Sequence, residues 1–540
     1  MEKKLHIRRD LLYNNIMDQK SLILDGNSLT VEDLYAYITN PRTQIKIRQE
    51  CFVKINRSRL FLEKEMGSRV IYGVNTGFGP MSSHIIGQTE LEELQKNLIV
   101  SHAVGMGDAL DQKLVLSTMV VRLNTILKGY SGVSRKLVER LKFFIDNRII
   151  PVMPEHGAVG TSGDLVHLAH IALAIIGGGE VFYKNKKYKT KNLFEKLKIE
   201  NYNLKPKEGL SLINGTAMMA GVAAILCVKA ERLFNLAVRT GALALELVNA
   251  FEDSFSKELQ RVRPHQGQIE VASALRNLLS TSKLLNQRES WQKTILIPTD
   301  GVKDINKDVQ EIYSFRCLPQ ILGPILDSLR KTQKDVGTEI NSVTDNPIID
   351  VRHKNILHGG NFHGDYISSS LDQLKIGLVK LTLLSERRIN FFLNQNVNKQ
   401  FPPFMNLAKP GLTLGLQGLQ FVATSTAAQS QSLAYPHSLH SISTNADNQD
   451  VVSMGSDAAL LTAKVVDNGF ILLTIETITL LQAVDFLKIY PKLSQSSKKL
   501  YTALRKLFPK IVEDKVITEK LRKVKNFIEY SLEKEDLSKA

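Results

Sequence analysis

The sequence predicts a mainly α protein: an N-terminal domain over residues 1–208, then a long central helix bundle with a C-terminal helical part over 209–540. Three observations carry this. Residues 215–251, 307–341, 365–395, 412–434 and 456–487 repeat apolar residues at helical spacing, over lengths that reach ~30 Å or more at a rise of about 1.5 Å per residue. Few strand signals lie between them. The first stretch is rich in small residues (Ala217, Ala220, Gly221, Ala223, Ala224), which let neighbouring helices approach closely. Several faces are more apolar or Ala/Gly-rich than one chain's core needs, as expected when copies of a chain bury surface against each other.

Along the chain, residues 20–70 read as short helices. Val70-Ile-Tyr-Gly-Val-Asn-Thr-Gly-Phe-Gly-Pro80 follows, a β-like apolar opening that runs into a loop with three glycines. Such a loop can approach a ligand closely or move as a lid. Residues 88–107 regain helical spacing and end in Ser101-His-Ala-Val-Gly-Met-Gly107. Residues 114–144 read as two helices separated by Gly129-Tyr-Ser-Gly-Val133.

In Gly160-Thr161-Ser162-Gly163-Asp164 two glycines flank a Thr-Ser pair, so the backbone can fold back tightly. By itself this is a strand-to-helix turn with Ser162 or Asp164 as the N-cap of a buried helix over 165–176. Residues 180–190 alternate and turn at Lys-Asn-Lys, a hairpin signal, and the polar stretch 191–208 is the first domain seam. Pro347 and Gly359-Gly-Asn-Phe-His363 break the helical pattern over 346–363 into a hairpin and loop.

Composition narrows the function classes. Hydrophobic content of 43% and charged content of 23% suit a soluble globular chain. Three scattered cysteines (Cys51, Cys227, Cys317) give neither a disulfide framework nor a Cys-based metal site. The N-terminus, Met-Glu-Lys-Lys-Leu-His-Ile-Arg-Arg-Asp, lacks the apolar core of a secretory signal. Lys229, Glu231 and Arg232 interrupt one apolar stretch, and Lys464, Asp467 and Glu476 another, so no membrane span and a cytoplasmic protein are expected. The net charge of +16 raises the question of a polyanion partner. The basic residues are dispersed, the basic tail also carries Glu513, Asp514, Glu519, Glu529, Glu533, Glu535 and Asp536, and no nucleic-acid motif occurs.

Seven short motifs then stand in order: Tyr72-Gly-Val-Asn-Thr-Gly-Phe-Gly79, Gly160-Thr-Ser-Gly-Asp164, Leu212-Ile-Asn-Gly-Thr216, Tyr313-Ser-Phe-Arg-Cys317, Asp345-Asn-Pro347, Gly359-Gly-Asn-Phe-His363 and Asn448-Gln-Asp450. As a set they resemble the aromatic amino acid ammonia-lyase and aminomutase family, which includes the histidine, phenylalanine and tyrosine ammonia-lyases. The resemblance implies a fumarase/aspartase-like helical homotetramer with each active site shared between subunits. It also implies a prosthetic group, 4-methylidene-imidazol-5-one, made when Thr161, Ser162 and Gly163 cyclise with loss of two waters. No metal or nucleotide is implied. Most relatives have Ala where Thr161 stands, and Thr161 enters the cyclisation through its backbone carbonyl.

The resemblance assigns roles. Tyr72 is the base that takes the β-proton; a phenol ionises near pH ~10 in water, so it needs nearby donors or positive charge. Arg316 grips the substrate carboxylate, a task suited to a planar guanidinium. Asn214, Tyr313 and Gln310 line the ring or the substrate's polar end, and Phe362 packs against the substrate.

Ser101 and His102 fall where the family tunes specificity, in a pair found in histidine lyases and in a bacterial branch of tyrosine lyases. Gln449 stands where histidine lyases have Glu and the phenylalanine and tyrosine enzymes have Gln, and the longer context is similar to the bacterial tyrosine branch. Gln429 replaces a Glu that many relatives place near the substrate amine, which leaves room for an aminomutase. The expected reaction is L-tyrosine to p-coumarate plus ammonia. The alternatives are histidine to urocanate, an aromatic 2,3-aminomutase, or, in another class, an inactive helical scaffold or polyanion-binding protein.

Overall fold

The computed structural model describes residues 21–305 and 307–531. The charged N-terminal decapeptide and Glu533, Glu535 and Asp536 of the tail lie outside the described residues. Four of the five long helical patterns form single helices: Ala217–Leu247, Asp365–Leu393, Gln417–Ser432 and Gly455–Leu487. The pattern over 307–341 does not. It yields a single turn, Tyr313–Arg316, and a separate helix, Leu318–Glu339. Pro319 cannot donate to the preceding turn, but it suits the first turn of a new helix.

Helices Gln112–Leu127, Arg135–Asp146 and Leu165–Ile175 form where expected. The 180–190 hairpin pairs Glu180–Tyr183 with Lys186–Lys189. Lys184 and Asn185 both have positive φ, 50° and 61°, the mirror-image turn that matches strand twist. Ile348–Asp350 and Asn355–Leu357 form the second expected hairpin.

Two readings fail. Residues 20–70 hold helices Val31–Thr39 and Gln49–Glu65, but also a parallel pair of strands, Ser21–Leu24 and Gln44–Ile47, with Leu22 opposite Ile45. Leu22, Leu24 and Ile45 are buried in alternation along these strands, a period-two signal too short to stand out. The Val70 opening is no strand: residues 71–75 run as a turn. Ile71 and Val74 instead enter a cluster with Leu62, Ile349 and Ile356.

The chain divides into two compact units, each discontinuous in sequence, where the expected division was a single cut at 208/209. One comprises residues 1–228, 331–372 and 436–461; the other comprises 229–330, 373–435 and 462–540. Inside the first, Lys207 pairs with Asp345 at 2.9 Å with both side chains fully buried. Inside the second, Arg388 pairs with Glu476 at 2.6 Å, equally buried, and Phe315, Phe391, Phe392 and Phe401 pack edge to face. Removing one partner of such a pair leaves an uncompensated buried charge, costing about 3–5 kcal/mol.

One helix, Gly455–Leu487, is long and apolar enough to cross a membrane by length and composition, so charges do not interrupt every such stretch. Its most apolar window is 78% buried within the protein, as in a core helix.

Candidate active site

The tight turn at 160–164 is built from backbone. Gly160 and Gly163 have φ of 76° and 73°, and a Cβ on Gly163 would collide with the Gly215 carbonyl. Gly163 and Gly215 form an isolated parallel bridge: Gly215 N donates to Ser162 O at 3.1 Å and Asp164 N donates to Gly215 O at 2.8 Å. The Gly163 amide takes part in neither bond. Asn214 Nδ2 reaches the same Ser162 O at 3.4 Å, while its Oδ1 is buried and without a hydrogen-bond partner among the described residues. Only glycine fits at 163, its amide lies outside the bridge, and two donors converge on the Ser162 carbonyl. These features fit the ring-forming role the resemblance implies.

Asp164 corrects the simple capping reading. It holds the N-cap position of Leu165–Ile175 but makes no side-chain cap bond there. Its carboxylate instead accepts from Met218 N (2.8 Å) and Met219 N (3.1 Å) at the start of the 217–247 helix, and from Ser456 Oγ (2.6 Å). It therefore caps a different helix, near whose N-terminus a negative charge is favoured. Burial pushes its carboxyl up to about 6 despite those donors. Arg122, 1% exposed, donates to Ser211 O, and its Nη1 lies 2.6 Å from where a Cβ on Gly215 would sit. Burial lowers its pKa, opposed by Asp345 and Asp164.

His167, on the helix Leu165–Ile175, donates from Nε2 to Glu155 O at 3.1 Å. Burial pushes its imidazole down from 6.5 to about 4. Below about pH 6.5 the unfolded chain binds a proton that the folded one refuses, so the residue's contribution to stability declines from there and is gone near pH 4. The full loss is on the order of 3 kcal/mol. His167→Gln is therefore expected to gain Tm relative to the native chain between about pH 7 and pH 4.5. A pH-independent Tm difference would remove His167 from the proton linkage.

A cavity of about 540 Å³ brings together Tyr72, Thr161, Ser162, Asn214, Phe362 and Gln449, a size suited to a small ligand. Tyr72 Oη accepts from Gly79 N at 3.0 Å, which places a donor on the oxygen that a base would use. Gln449 Nε2 donates to Ser162 Oγ at 3.2 Å.

Other expected residues do not line this cavity. Ser101 and His102 end the helix Leu91–His102, where His102 Nδ1 donates to Leu98 O at 2.8 Å. That bond leaves Nε2 as the acceptor nitrogen of the neutral ring. Gln310, Tyr313, Arg316 and Gln429 belong to the second compact unit. Tyr313 is 68% exposed, with the Arg316 guanidinium 4.7 Å from its ring centroid. Arg316 also donates to Glu311 O at 3.1 Å. Gln429 Oε1 accepts from Asn468 Nδ2 at 3.0 Å. Lining residues that the sequence reading did not single out include Asn346, His358 and His363, beside Ser82, Asn448, Asp450 and Val451. Asn346 and His363 sit inside quoted motifs and His358 directly before one, yet no residue-type signal marks them.

Comparison with known proteins places this chain in a class. A family model described as "Aromatic amino acid lyase" matches residues 29–506. A histidine ammonia-lyase of Staphylococcus aureus is 35% identical over 515 residues, covering 95% of this chain and 98% of that protein. Among solved structures, a tyrosine aminomutase from Streptomyces globisporus superposes with a TM-score of 0.89 at 32% identity, covering 94% of this chain and 97% of the other. A Pantoea agglomerans phenylalanine aminomutase gives 0.90 at 34% identity, covering 95% and 99%. The chain belongs to the aromatic amino acid lyase family. It is a carbon–nitrogen lyase acting on a small aromatic amino acid.

Proposed function

We propose that this chain deaminates L-tyrosine to p-coumarate and ammonia, using 4-methylidene-imidazol-5-one formed from Thr161-Ser162-Gly163. The observation that carries the reading is the convergence of Gly215 N and Asn214 Nδ2 on Ser162 O in the cavity that Tyr72 lines. When formed, the group supplies an electrophilic carbon that captures the substrate amine and makes it a leaving group.

The other residues bind, orient or move protons. Tyr72 Oη takes the β-proton, with the Gly79 amide stabilising the oxygen that gives it up to solvent afterwards. Asn214 Nδ2 and Gly215 N act as fixed donors where negative charge gathers. Phe362 packs the substrate's ring side. Arg316 holds the carboxylate and Tyr313 and Gln310 its polar surroundings; in this reading they reach the cavity from neighbouring copies of a homotetramer. Exposed Met106 (74%), Phe421 (65%) and Ile442 (73%) support burial between copies. The free cysteines support a reducing, cytoplasmic setting.

Gln449 favours tyrosine, because it puts a neutral amide where a carboxylate would suit an imidazole. The Nε2 acceptor of His102 suits a phenol hydroxyl. Histidine as substrate is the second reading, favoured by the 35% identity to a histidine ammonia-lyase. Gln429, whose oxygen is taken by Asn468, and the likeness to two aminomutases support testing for retained ammonia.

An absorbance screen with tyrosine, phenylalanine, histidine and their β-isomers tests all of these. Turnover of histidine alone would overturn the tyrosine assignment, and interconversion of α- and β-isomers would identify a mutase. His102→Phe is expected to shift the kcat/KM ratio toward phenylalanine by about 10-fold or more, since in this reading a polar partner for the phenol hydroxyl is lost. An unaltered ratio would take His102 out of specificity.

A further inference from the structure

We propose that His358 is a positioning residue for Tyr72, holding the main chain of the base so that its hydroxyl meets the substrate's β-carbon; this rests on the reading of Tyr72 as the base. Tyr72 N donates to His358 Nε2 at 3.2 Å, and both residues line the cavity. The bond requires a neutral imidazole carrying its proton on Nδ1; the His358 side chain is exposed, and desolvation by its neighbours still lowers its pKa, in the direction of that form.

The hold is two-sided. His358 directly follows the strand Asn355–Leu357, whose Ile356 packs with Ile349 of the paired strand. The same cluster takes Ile71 and Val74, the apolar residues on either side of Tyr72. Asn75 ties the turn from within, accepting from Ile71 N at 2.7 Å and donating to Met66 O and Arg69 O. Beyond His358 the chain is fixed again, where Gly359 N donates to Asn346 Oδ1 at 2.8 Å. The hairpin is thus a mount: an apolar base under the turn and an imidazole acceptor on the amide of the base residue itself. Displacing a reacting group by about 1 Å can cost about 100-fold in rate, so this one acceptor has leverage on turnover.

The test uses the full-length chain and three substitutions. Gln places an oxygen near the position of His Nε2, Asn places it near Nδ1, and Leu supplies no acceptor. His358→Leu is expected to speed amide exchange across residues 72–79 by about 5-fold or more, and to lower kcat by about 10- to 100-fold with KM within about 3-fold. His358→Gln is expected to restore native exchange and at least about a third of kcat, and His358→Asn to behave like Leu. Equal losses in Leu and Gln, or native exchange in His358→Leu, would overturn the proposal. The exchange measurement needs no substrate. Loosened exchange with no aromatic amino acid turned over by the native enzyme would refute the proposed reaction while leaving the mount in place; loosened exchange with unchanged kcat would refute the positioning role.

Discussion

Ser162→Ala is expected to eliminate turnover and to remove at least the one water of the mass deficit that the β-hydroxyl supplies, whereas the native chain should weigh less than its translated value by two waters. The reasoning is local. Alanine has no β-hydroxyl to lose, so the exocyclic methylidene carbon cannot form, and the amine keeps its poor leaving ability. Loss of a covalent electrophile removes the step that covalent catalysis makes possible, so the expected fall in kcat is at least about 1,000-fold. The fold should survive. Ser162 Oγ contacts Gln449 at 3.2 Å, and one such bond contributes about 1 kcal/mol. The surrounding turn is held instead through Ser162 O, Asp164 and Gly215. A cooperative thermal transition within a few degrees of the native one, with no activity, is the expected pair of results. Unchanged turnover would sink the ring assignment.

Tyr72→Phe should separate base from electrophile. The ring precursor contacts do not involve the phenol, so the two-water mass deficit is expected to persist. Phenylalanine abolishes both the proton acceptor and the bond from Gly79 N. Because a positioned general base contributes about 100- to 10,000-fold, kcat should fall by that range with little change in KM. Full activity would show that another group removes the β-proton.

Much of this was legible before any coordinates. Four of the five long helices announced themselves through sustained apolar spacing, whereas the 307–341 pattern hid a break, and the Lys184-Asn185 turn was marked by Asn185, a residue type that tolerates positive φ. The ordered motifs pointed to the 160–164 turn, Tyr72 and Asn214, which share one cavity. What escaped were choices made by distant partners. Asp164 looks like the cap of its own helix, but three donors from residues 218, 219 and 456 outcompete the local amides. Val70-Ile71 looks like a strand until the 348–357 hairpin supplies the apolar surface that bends it into a turn. His358 reads as an ordinary polar residue before a glycine pair, and only the Tyr72 amide gives it significance. Tyr313 and Arg316 illustrate another limit: their motif was clear, yet they fall in a different compact unit from the cavity-lining residues.

The contacts that hold the 160–164 turn also set a clock. Gly160 O accepts from Ser453 Oγ and Asp164 from Ser456 Oγ, partners 293 and 292 residues downstream; Gly215 and Asn214 lie about fifty residues on. A chain interrupted before residue 453 carries the tripeptide but not its setting. If the proposed ring forms here, nascent and truncated chains are expected to keep an unmodified Thr-Ser-Gly, because the frame around it is complete only after most of the polypeptide has been made and folded.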